Sequence, residues 1–362
     1  MKLLFDIGHP AHVHQFKNTI IELKKRGHEI KITARDKEVT LELLQKLGLD
    51  YTVVGTYQTN TIKKIMMVPV IDLALYNLAR KFNPDIMIGG VGNVYIAHAS
   101  FFLNKKSILF NDTEHAFLQN ILSFPFVSSV VTPECYENDV GKKQIRYNGY
   151  HELAYLHPHY FTPDSNVLQE MGFTNNDKFV IMRFVSWGAS HDIGHSGLTL
   201  ELKRRAIKEF EKNARVFITS EKPLTSDLEK YRITVSPEKM HNLLYYATLL
   251  YGESATMASE CAVLGTHAVF CDFAGRGYTN DEERAYDLVY NFKLDEGSLI
   301  KSIEKASELL KDPNLKEKGL KKRIKSLADH IDVTKFMVWF IENYPESVVV
   351  MRDNPDFQNR FR

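Results

Sequence analysis

The sequence has 362 residues, 44% hydrophobic and 25% charged, which is ordinary for a soluble globular protein with room for two domains. Its 46 basic and 45 acidic residues leave a formal net charge of +1, so charge gives no general case for nucleic-acid binding. Three cysteines are too few for a disulfide framework, and no apolar run reaches the roughly 18 residues of a membrane span. These features predict a cytoplasmic protein with reduced thiols.

Strand-like apolar runs alternate with segments of helical period along the chain. The run "KLLFDI" predicts a buried strand rather than a secretory signal, and residues 13–26 follow as a helix with Phe16, Ile20 and Leu23 on one face. Gly27 closes that helix before the strand "HEIKITAR". The same order continues through "PDIMIGG", "KSILFND" and "VSSVVTP". Strands separated by helices predict a parallel sheet with right-handed crossovers.

A second series of the same kind begins near residue 178 with "KFVIMRF" and continues through "ARVFITS", "LLYGES" and "HAVFCDF". The sequence therefore predicts an α/β fold of two doubly wound, Rossmann-like parallel-sheet domains that face a central cleft. The predicted divisions are an N-terminal domain at 1–160, an interdomain connection at 161–177, a C-terminal domain at 178–330 and a last segment at 331–362. The apolar helix in that last segment is expected to cross back to the N-terminal domain before a tail.

Three histidines, His9, His12 and His14, follow the first strand directly after Gly8. A neutral imidazole on such a loop can accept a proton from a hydroxyl at about pH 7. A metal site and an ordinary helix cap are the other interpretations. Metal ligands need fixed support, and no cysteine or carboxylate cluster lies nearby, so no metal is predicted. His14 is expected to belong to the helix itself.

Small and hydroxylated residues follow a predicted strand in "YGESATMASE", where Ser254, Ala255 and Thr256 precede an apolar helix. The free N–H groups and positive dipole end of a helix favour a phosphate, and small side chains let it approach. Glu260 lies one turn later, where a carboxylate can accept hydrogen bonds from ribose hydroxyls. The alternative is that Ser254 and Thr256 only cap the helix and Glu260 is a solvated surface residue.

The stretch "ATMASECAVLGTHAVF" resembles the donor-nucleotide motif of glycosyltransferases with the GT-B fold. It is most similar to the branch that contains the lipid II-forming N-acetylglucosaminyltransferase and lipid-A-disaccharide synthase. Thr256, Glu260 and Gly265 match that motif in place, whereas His267 stands where the family usually has proline. Because the family glutamate holds the ribose of a UDP-sugar, the resemblance implies the same role for Glu260.

The N-terminal loop resembles the Gly-Gly-His pattern of the same family. Aligning the glycine that ends the family helix with Gly27 places the family histidine on His12, while Pro10 and Ala11 replace the two glycines and Gln15 replaces a proline. The resemblance implies that His12 is a general base, with His9 as a second catalytic candidate that can bind a phosphate or acceptor. Most of residues 1–345 also resembles a bacterial and archaeal family of unknown function placed among GT-B proteins, through "GHPAHVHQF", "SEKPL" and "GESATMASE".

Further loops complete the predicted site. The polar, glycine-containing loop with Ser186, Gly188, Ser190 and His191 lies where the equivalent loop of the glycosyltransferase family wraps the donor phosphates, so the resemblance implies the same role here. Met240 is predicted to join the donor nucleotide site. The acceptor side is predicted to include Gly8, Asp112, Glu114 and His115. The comparable loop of that family meets the sugar of the donor, so the resemblance implies that Arg276, Tyr278 and Asn280 bind the sugar. Two alternatives stay open. The loop at residues 183–197 can be an ordinary surface loop, and Asp112 or Thr113 can cap a helix that begins near Glu114.

Residues 61–82 mix basic and apolar side chains, which is compatible with peripheral contact to the inner face of a membrane. The more common interpretation of such a segment is a core helix broken at Pro69.

The sequence predicts a metal-independent glycosyltransferase that uses a nucleotide-sugar, most simply UDP-linked, with no other cofactor. Its partners would be that donor and a surface-glycan or lipid-linked acceptor, and a loop histidine would be the base. A non-hydrolysing UDP-sugar 2-epimerase is the enzymatic alternative, although "GHPAH" lacks the Arg and Glu that are usual after the early glycine of that family. A non-catalytic nucleotide-sugar-binding protein is the third interpretation.

Overall fold

A computed structural model describes residues 1–56, 61–174, 177–185, 197–220 and 223–362 of the protein, with the backbone alone at 61–65. The chain forms two compact units, the first made of residues 1–155 and 330–362 and the second of residues 156–329. Each unit is an α/β layered structure built on one parallel sheet.

The strands are β1 (Lys2–Ile7), β2 (Glu29–Asp36), β3 (Thr52–Thr56), β4 (Ile86–Gly89), β5 (Lys106–Phe110), β6 (Ser129–Pro133), β7 (Gln144–Tyr147), β8 (Phe179–Phe184), β9 (Arg215–Ser220), β10 (Leu249–Gly252), β11 (His267–Cys271) and β12 (Val289–Phe292). Within the described residues, the first unit has a sheet of order β3-β2-β1-β4-β5-β6-β7 and the second a sheet of order β12-β11-β10-β8-β9. These orders correspond to the Rossmann arrangement with one added strand and to the flavodoxin-like arrangement.

The helices are α1 (Pro10–Lys25), α2 (Thr40–Lys46), α3 (Thr61–Phe82), α4 (Val94–Phe102), α5 (Phe117–Ser123), α6 (Leu153–Leu156), α7 (Asn166–Glu170), α8 (Leu200–Phe210), α9 (Met240–Tyr246), α10 (Ala255–Leu264), α11 (Gly277–Tyr286), α12 (Glu296–Lys311), α13 (Leu315–Asp329), α14 (Val333–Glu342) and α15 (Glu346–Asp353). Short 3-10 helices lie at Gly141–Lys143, Glu229–Tyr231, Pro237–Lys239 and Pro355–Phe361.

In each sheet, successive strands of the chain are added on one side of the first strand and then, after one reversal, on its other side. In the first unit the reversal lies between β1 and β4, and in the second it lies between β8 and β10. Crossover connections leave a crevice at the carboxyl ends of the strands at such a switch point, and ligands of open α/β sheets bind there. The loops that follow these four strands are therefore the first places to look for a site.

The strands around each switch point are buried on both faces. Leu3, Leu4, Phe5 and Ile7 of β1 have no exposed surface, and neither does Tyr251 in β10. Near-continuous apolar runs of this kind are what a parallel sheet covered by helices requires. The two sheets thus give rigid supports for the loops at their carboxyl ends.

The C-terminal residues pack in the first unit. The hydroxyl of Thr19 in α1 donates to the sulfur of Met337 in α14 at 3.5 Å, and the Thr334 hydroxyl donates to the Ala154 carbonyl at 2.7 Å. The ring of Phe336 stacks on that of Tyr147 with centroids 5.6 Å apart. Helix α14 therefore covers the back of α1, the helix that carries His12.

Helix α3 runs unbroken through Pro69, so the interpretation of a core helix broken at this proline is wrong. Pro69 lies on the exposed side, where water can satisfy the carbonyl that loses its intrahelical partner. Ile71, Leu75 and Ala79 are buried and anchor the following turns. In the part of the chain that the structure describes, no helix has the length and apolar character to cross a membrane.

Candidate functional site

The loop after β1 enters α1 through a histidine cap. His9 is the N-cap residue, and its Nδ1 accepts a hydrogen bond from the Ala11 N–H at 3.1 Å. Pro10 stands at the first helical position, where a missing N–H costs nothing. His9 therefore serves as a cap in this structure. His14 lies further along α1, with its ring 5.4 Å from that of Tyr155.

His12 occupies the first turn of α1 at the switch point of the first unit. Its Nδ1 accepts a hydrogen bond from the Gly8 N–H at 3.3 Å, and its side chain is almost completely buried. Burial, followed by the charge of Arg35, lowers the pKa of His12 from 6.5 to about 3. His12 is therefore uncharged at neutral pH.

Two glycines leave the room that the side chains of His12 and Arg35 occupy. A Cβ on Gly90, in the loop after β4, would lie 2.7 Å from His12 Nε2. A Cβ on Gly8 would lie 2.1 Å from Nη2 of Arg35. Real Cβ atoms do not approach this closely, so glycine at both positions lets the imidazole and the guanidinium lie directly against the backbone. Gly8, which the sequence predicts in the site, therefore contributes in two ways. Its N–H donates to His12, and its missing Cβ leaves room for the Arg35 guanidinium.

A buried ionic cluster supports this loop, and the sequence reasoning missed it. Asp6 is fully buried, and its carboxylate accepts hydrogen bonds from Arg35 at 2.8 Å, Thr33 at 2.7 Å and Asn93 at 2.7 Å. The Arg35 guanidinium also lies 4.7 Å from the centre of the Tyr95 ring. The one available signal was an aspartate inside the apolar run "KLLFDI", since buried carboxylates are rare unless paired.

Asp112, which follows β5, has a partner that the sequence did not reveal. Its Oδ2 lies 2.8 Å from Nδ1 of His151, whose Nε2 lies 3.1 Å from the side-chain nitrogen of Gln15 in α1. Burial tends to raise the pKa of Asp112, but the imidazole of His151 outweighs it, so the pKa is lowered. The chain Asp112–His151–Gln15 thus ties the loop after β5 to the helix that holds His12.

The helix expected near Glu114 begins instead at Phe117, so Asp112 does not cap it. Its N-cap residue is Ala116, without a side-chain hydrogen bond. Glu114 is buried, and its Oε1 accepts a hydrogen bond from the Glu137 N–H at 3.0 Å, whereas His115 is partly exposed. Among the three predicted acceptor residues, Glu114 is therefore buried, whereas Asp112 and His115 are both partly exposed.

In the second unit, the loop after β10 is held by a glutamate that the sequence reasoning did not select. Glu253 accepts hydrogen bonds from the Val185 N–H at 3.0 Å and from the Leu198 N–H at 2.5 Å. These residues flank the predicted phosphate loop, whose candidates Ser186, Gly188, Ser190 and His191 lie outside the described residues. Gly252 precedes Glu253, and a Cβ there would lie 2.1 Å from the Arg183 carbonyl oxygen.

Ser254, Ala255 and Thr256 lie at the start of α10, as predicted from the sequence. Ser254 is the N-cap residue, and its hydroxyl accepts a hydrogen bond from the Met257 N–H at 3.3 Å. All three residues are partly exposed. Gly265 ends the helix with a φ of 79°, the left-handed conformation that suits glycine. Capping and phosphate binding are compatible here, because a single side chain satisfies only one of the free N–H groups.

Glu260 is buried rather than solvated. Its Oε1 lies 2.9 Å from Nε2 of His241 in α9, and both side chains are only 7% exposed. A carboxylate can accept about four hydrogen bonds, which is more than the contact with His241 alone. Met240, the other predicted residue here, begins α9 directly before His241 and is partly exposed. The structure therefore brings the predicted Met240 and Glu260 together through a histidine.

The predicted sugar-binding residues lie at the start of α11, after the strand that neighbours β10. The Arg276 guanidinium lies 2.8 Å from the Asp272 carboxylate. Tyr278 is buried, whereas Asn280 is partly exposed and its side chain lies against Gly275. Parallel strands end at a common edge, so this group shares the edge of the sheet with Glu253 and Ser254.

The model of a family described as "Protein of unknown function (DUF354)" matches residues 1–344. An uncharacterized protein from Methanocaldococcus jannaschii is 25% identical over 279 residues, which cover 74% of this chain and 80% of that relative.

Two solved structures share the fold. A UDP-GlcNAc 2-epimerase from Neisseria meningitidis, bound to UDP-GlcNAc, has a TM-score of 0.60 at 14% identity over 90% of this chain and 100% of its own. The glycosyltransferase VinC, in complex with dTDP, has a TM-score of 0.62 at 11% identity over 94% of this chain and 99% of its own. These likenesses confirm the predicted GT-B-like fold class, and at such identities they show the fold alone.

Proposed function

The chain belongs to the DUF354 family of unknown function, as its sequence predicted, and we propose that it is a glycosyltransferase that uses a nucleotide-sugar donor. The donor is UDP-linked and the acceptor is a surface glycan or a lipid-linked sugar. Proteins of the same fold that are bound to UDP-GlcNAc and dTDP support this class of ligand. The fold alone does not choose the reaction, so the proposal depends on the two loops described above.

The observation that carries the proposal is the position of those loops. The histidine loop follows β1 and the Glu253–Thr256 loop follows β10, each at the switch point of its sheet. Both lead directly into helices, α1 and α10, whose free N–H groups favour oxygen atoms with negative charge. Each of the two sheets thus has a polar loop at its switch point, the position where open α/β sheets bind ligands.

The roles divide between the units. In the second unit, the start of α10 would bind the diphosphate, Glu260 the ribose, and the group at the start of α11 the sugar. In the first unit, His12 would lie next to the reacting atoms, with Asp112, Glu114 and His115 beside the acceptor. Backbone N–H groups stabilise a departing diphosphate by hydrogen bonds fixed before the reaction, so the proposal includes no metal and no further cofactor.

Thermal unfolding with nucleotides tests the ligand class. UDP at 100 times its dissociation constant is expected to raise the free energy of unfolding by about 2.7 kcal/mol, because only the native state binds it. AMP at the same concentration is the control, since it offers a purine and a single phosphate. Equal or absent shifts with both nucleotides would contradict UDP as the donor nucleotide.

Incubation with a panel of UDP-sugars separates the reactions. A glycosyltransferase releases UDP only when an acceptor is present, and this is the expected result. Formation of an epimeric sugar without acceptor would assign the protein to the epimerases instead. UDP binding with neither product, across acceptors from soluble glycans to lipid-linked sugars, would favour a binding protein.

We also propose that α3 contributes to peripheral membrane contact. Met66, Val70 and Leu73 on this helix are between 55% and 67% exposed, and their spacing of four and three residues places them on one side of the helix. The double variant Val70→Ser, Leu73→Ser is expected to lower the fraction bound to anionic phospholipid vesicles at least about fivefold, because less apolar area enters the interface. Ile324→Ser removes a similarly exposed apolar residue in the second unit and is the matched control. Equal sedimentation of all three proteins would reject this contact.

A further inference from the structure

The hydrogen bond from the Gly8 N–H defines which of the two His12 nitrogens carries hydrogen. The Gly8 N–H can only donate, so Nδ1 of His12, 3.3 Å away, must present a lone pair. A neutral imidazole has one hydrogen, and it therefore lies on Nε2. A general base needs a lone pair directed at the substrate, and in this tautomer the lone pair is directed at the Gly8 backbone.

The charges around His12 keep the ring neutral. Arg35 and Lys37 face it from β2 and the loop that follows, Asp6 from β1 and Asp112 from the loop after β5. The ring of His9 lies 6.1 Å away on the same loop. Asp6 already accepts hydrogen bonds from Arg35, Thr33 and Asn93, so its charge is largely compensated. Burial and the positive end of α1 both disfavour a second cation.

The Nε2 side of the ring faces the loop after β4. Within the described residues, no group accepts a hydrogen bond from Nε2, and a Cβ on Gly90 of that loop would lie 2.7 Å from this nitrogen. An N–H group in a nearly dry environment interacts strongly with an oxygen atom that enters its surroundings. Neutral imidazoles at helix N-termini are known to act in this way in other enzymes.

We propose that His12 acts on the substrate as an uncharged hydrogen-bond donor through Nε2–H, and that it neither takes up nor releases a proton during the reaction. The ligand atom is a substrate oxygen, such as a hydroxyl or carbonyl oxygen of a sugar. This inference rests on the proposed function for the identity of the substrate, but the state of the ring can be measured without any substrate. Arg35 is a positioning residue in this arrangement, because it acts through His12.

Nitrogen-15 NMR of the ligand-free protein with labelled histidine tests the state of the ring directly. His12→Gln identifies the signal by its loss. The expected result is the Nε2–H tautomer, with no titration between about pH 8 and pH 5. A Nδ1–H tautomer, or a midpoint near the ordinary pKa of histidine, would overturn the proposal. Because no substrate is present, a failure of the proposed function does not affect this result.

Substitution of Arg35 tests the positioning role with the same signal. Arg35→Gln removes a positive charge while Asp6 stays, so the pKa of His12 is expected to rise. Arg35→Lys keeps the charge and is the matched control, with a smaller rise expected. Equal pKa values of His12 in both variants and the wild type would show that Arg35 does not act on the ring. The measurement on the wild-type protein stands even if a variant fails to fold.

Once a donor and acceptor are known, His12→Gln separates a hydrogen-bond donor from a base. Glutamine can place an N–H near the position of Nε2 but cannot accept a proton at neutral pH. We expect His12→Gln to stay within about tenfold of wild-type turnover while His12→Ala loses about a hundredfold or more. Equal losses in both variants, together with an acidic limb near pH 6.5 in the wild-type profile, would assign His12 as the base.

Discussion

His12→Ala is expected to lower turnover by at least about a hundredfold, whether the imidazole donates a hydrogen bond or accepts a proton. The affinity for UDP is expected to stay within a few-fold of wild type, because the proposed nucleotide contacts come from α10 and the loops around it. The effect should therefore fall on kcat rather than on donor binding. Rates and UDP titrations on the same two proteins measure both quantities.

His14→Ala is the matched control for that experiment. His14 lies on the same helix and packs its ring 5.4 Å from that of Tyr155, so its loss is expected to affect folding or expression rather than turnover. Near-normal turnover of His12→Ala would remove His12 from the reaction and leave His9 as the next candidate. Loss of UDP binding in His12→Ala would instead indicate a contact to the donor phosphates.

The alternation of strands and helices was predictable because each element carries its own periodic signal. Buried strands such as "KLLFDI" are apolar throughout, and α1 shows helical spacing with Gly27 beyond its end. Both features are contained in short, continuous stretches of sequence. The continuity of α3 through Pro69 was missed because it depends on buried anchors further along the helix, which a local rule for proline does not include.

The polar contacts of the site were not predictable in the same way. Asp6 meets Arg35 and Asn93 across separations of 29 and 87 residues, and Asp112 meets His151 through the loops after two different strands. Such pairs form only when the strand order and register are set. A local sequence pattern specifies neither the order nor the register. The positions of the loops at strand ends were therefore accessible from the sequence, whereas the partners that fix the charge and tautomer of each side chain were not.

Glu260→Gln is expected to lower the affinity for UDP by about ten- to a hundredfold. A carboxylate that accepts hydrogen bonds from ribose hydroxyls contributes roughly 1.5–3 kcal/mol through charge-assisted bonds, and an amide of equal size keeps the shape without the charge. Glutamine is preferable to alanine because Glu260 is buried against His241 at 2.9 Å, so truncation would also remove this buried contact. Isothermal titration with UDP measures the change.

Glu282→Gln provides the matched control, because Glu282 is another buried glutamate of the same unit. The Ser259 hydroxyl donates to its Oε1 at 2.6 Å, and burial raises the pKa of Glu282 well above its ordinary value. Glu282 is not among the proposed nucleotide contacts, so an amide of equal size there is expected to leave the affinity for UDP unchanged. Unaltered binding in Glu260→Gln would remove Glu260 from the nucleotide site. Equal losses in both variants would show that the affinity responds to packing around α10 and α11 rather than to a contact between the Glu260 carboxylate and the ribose.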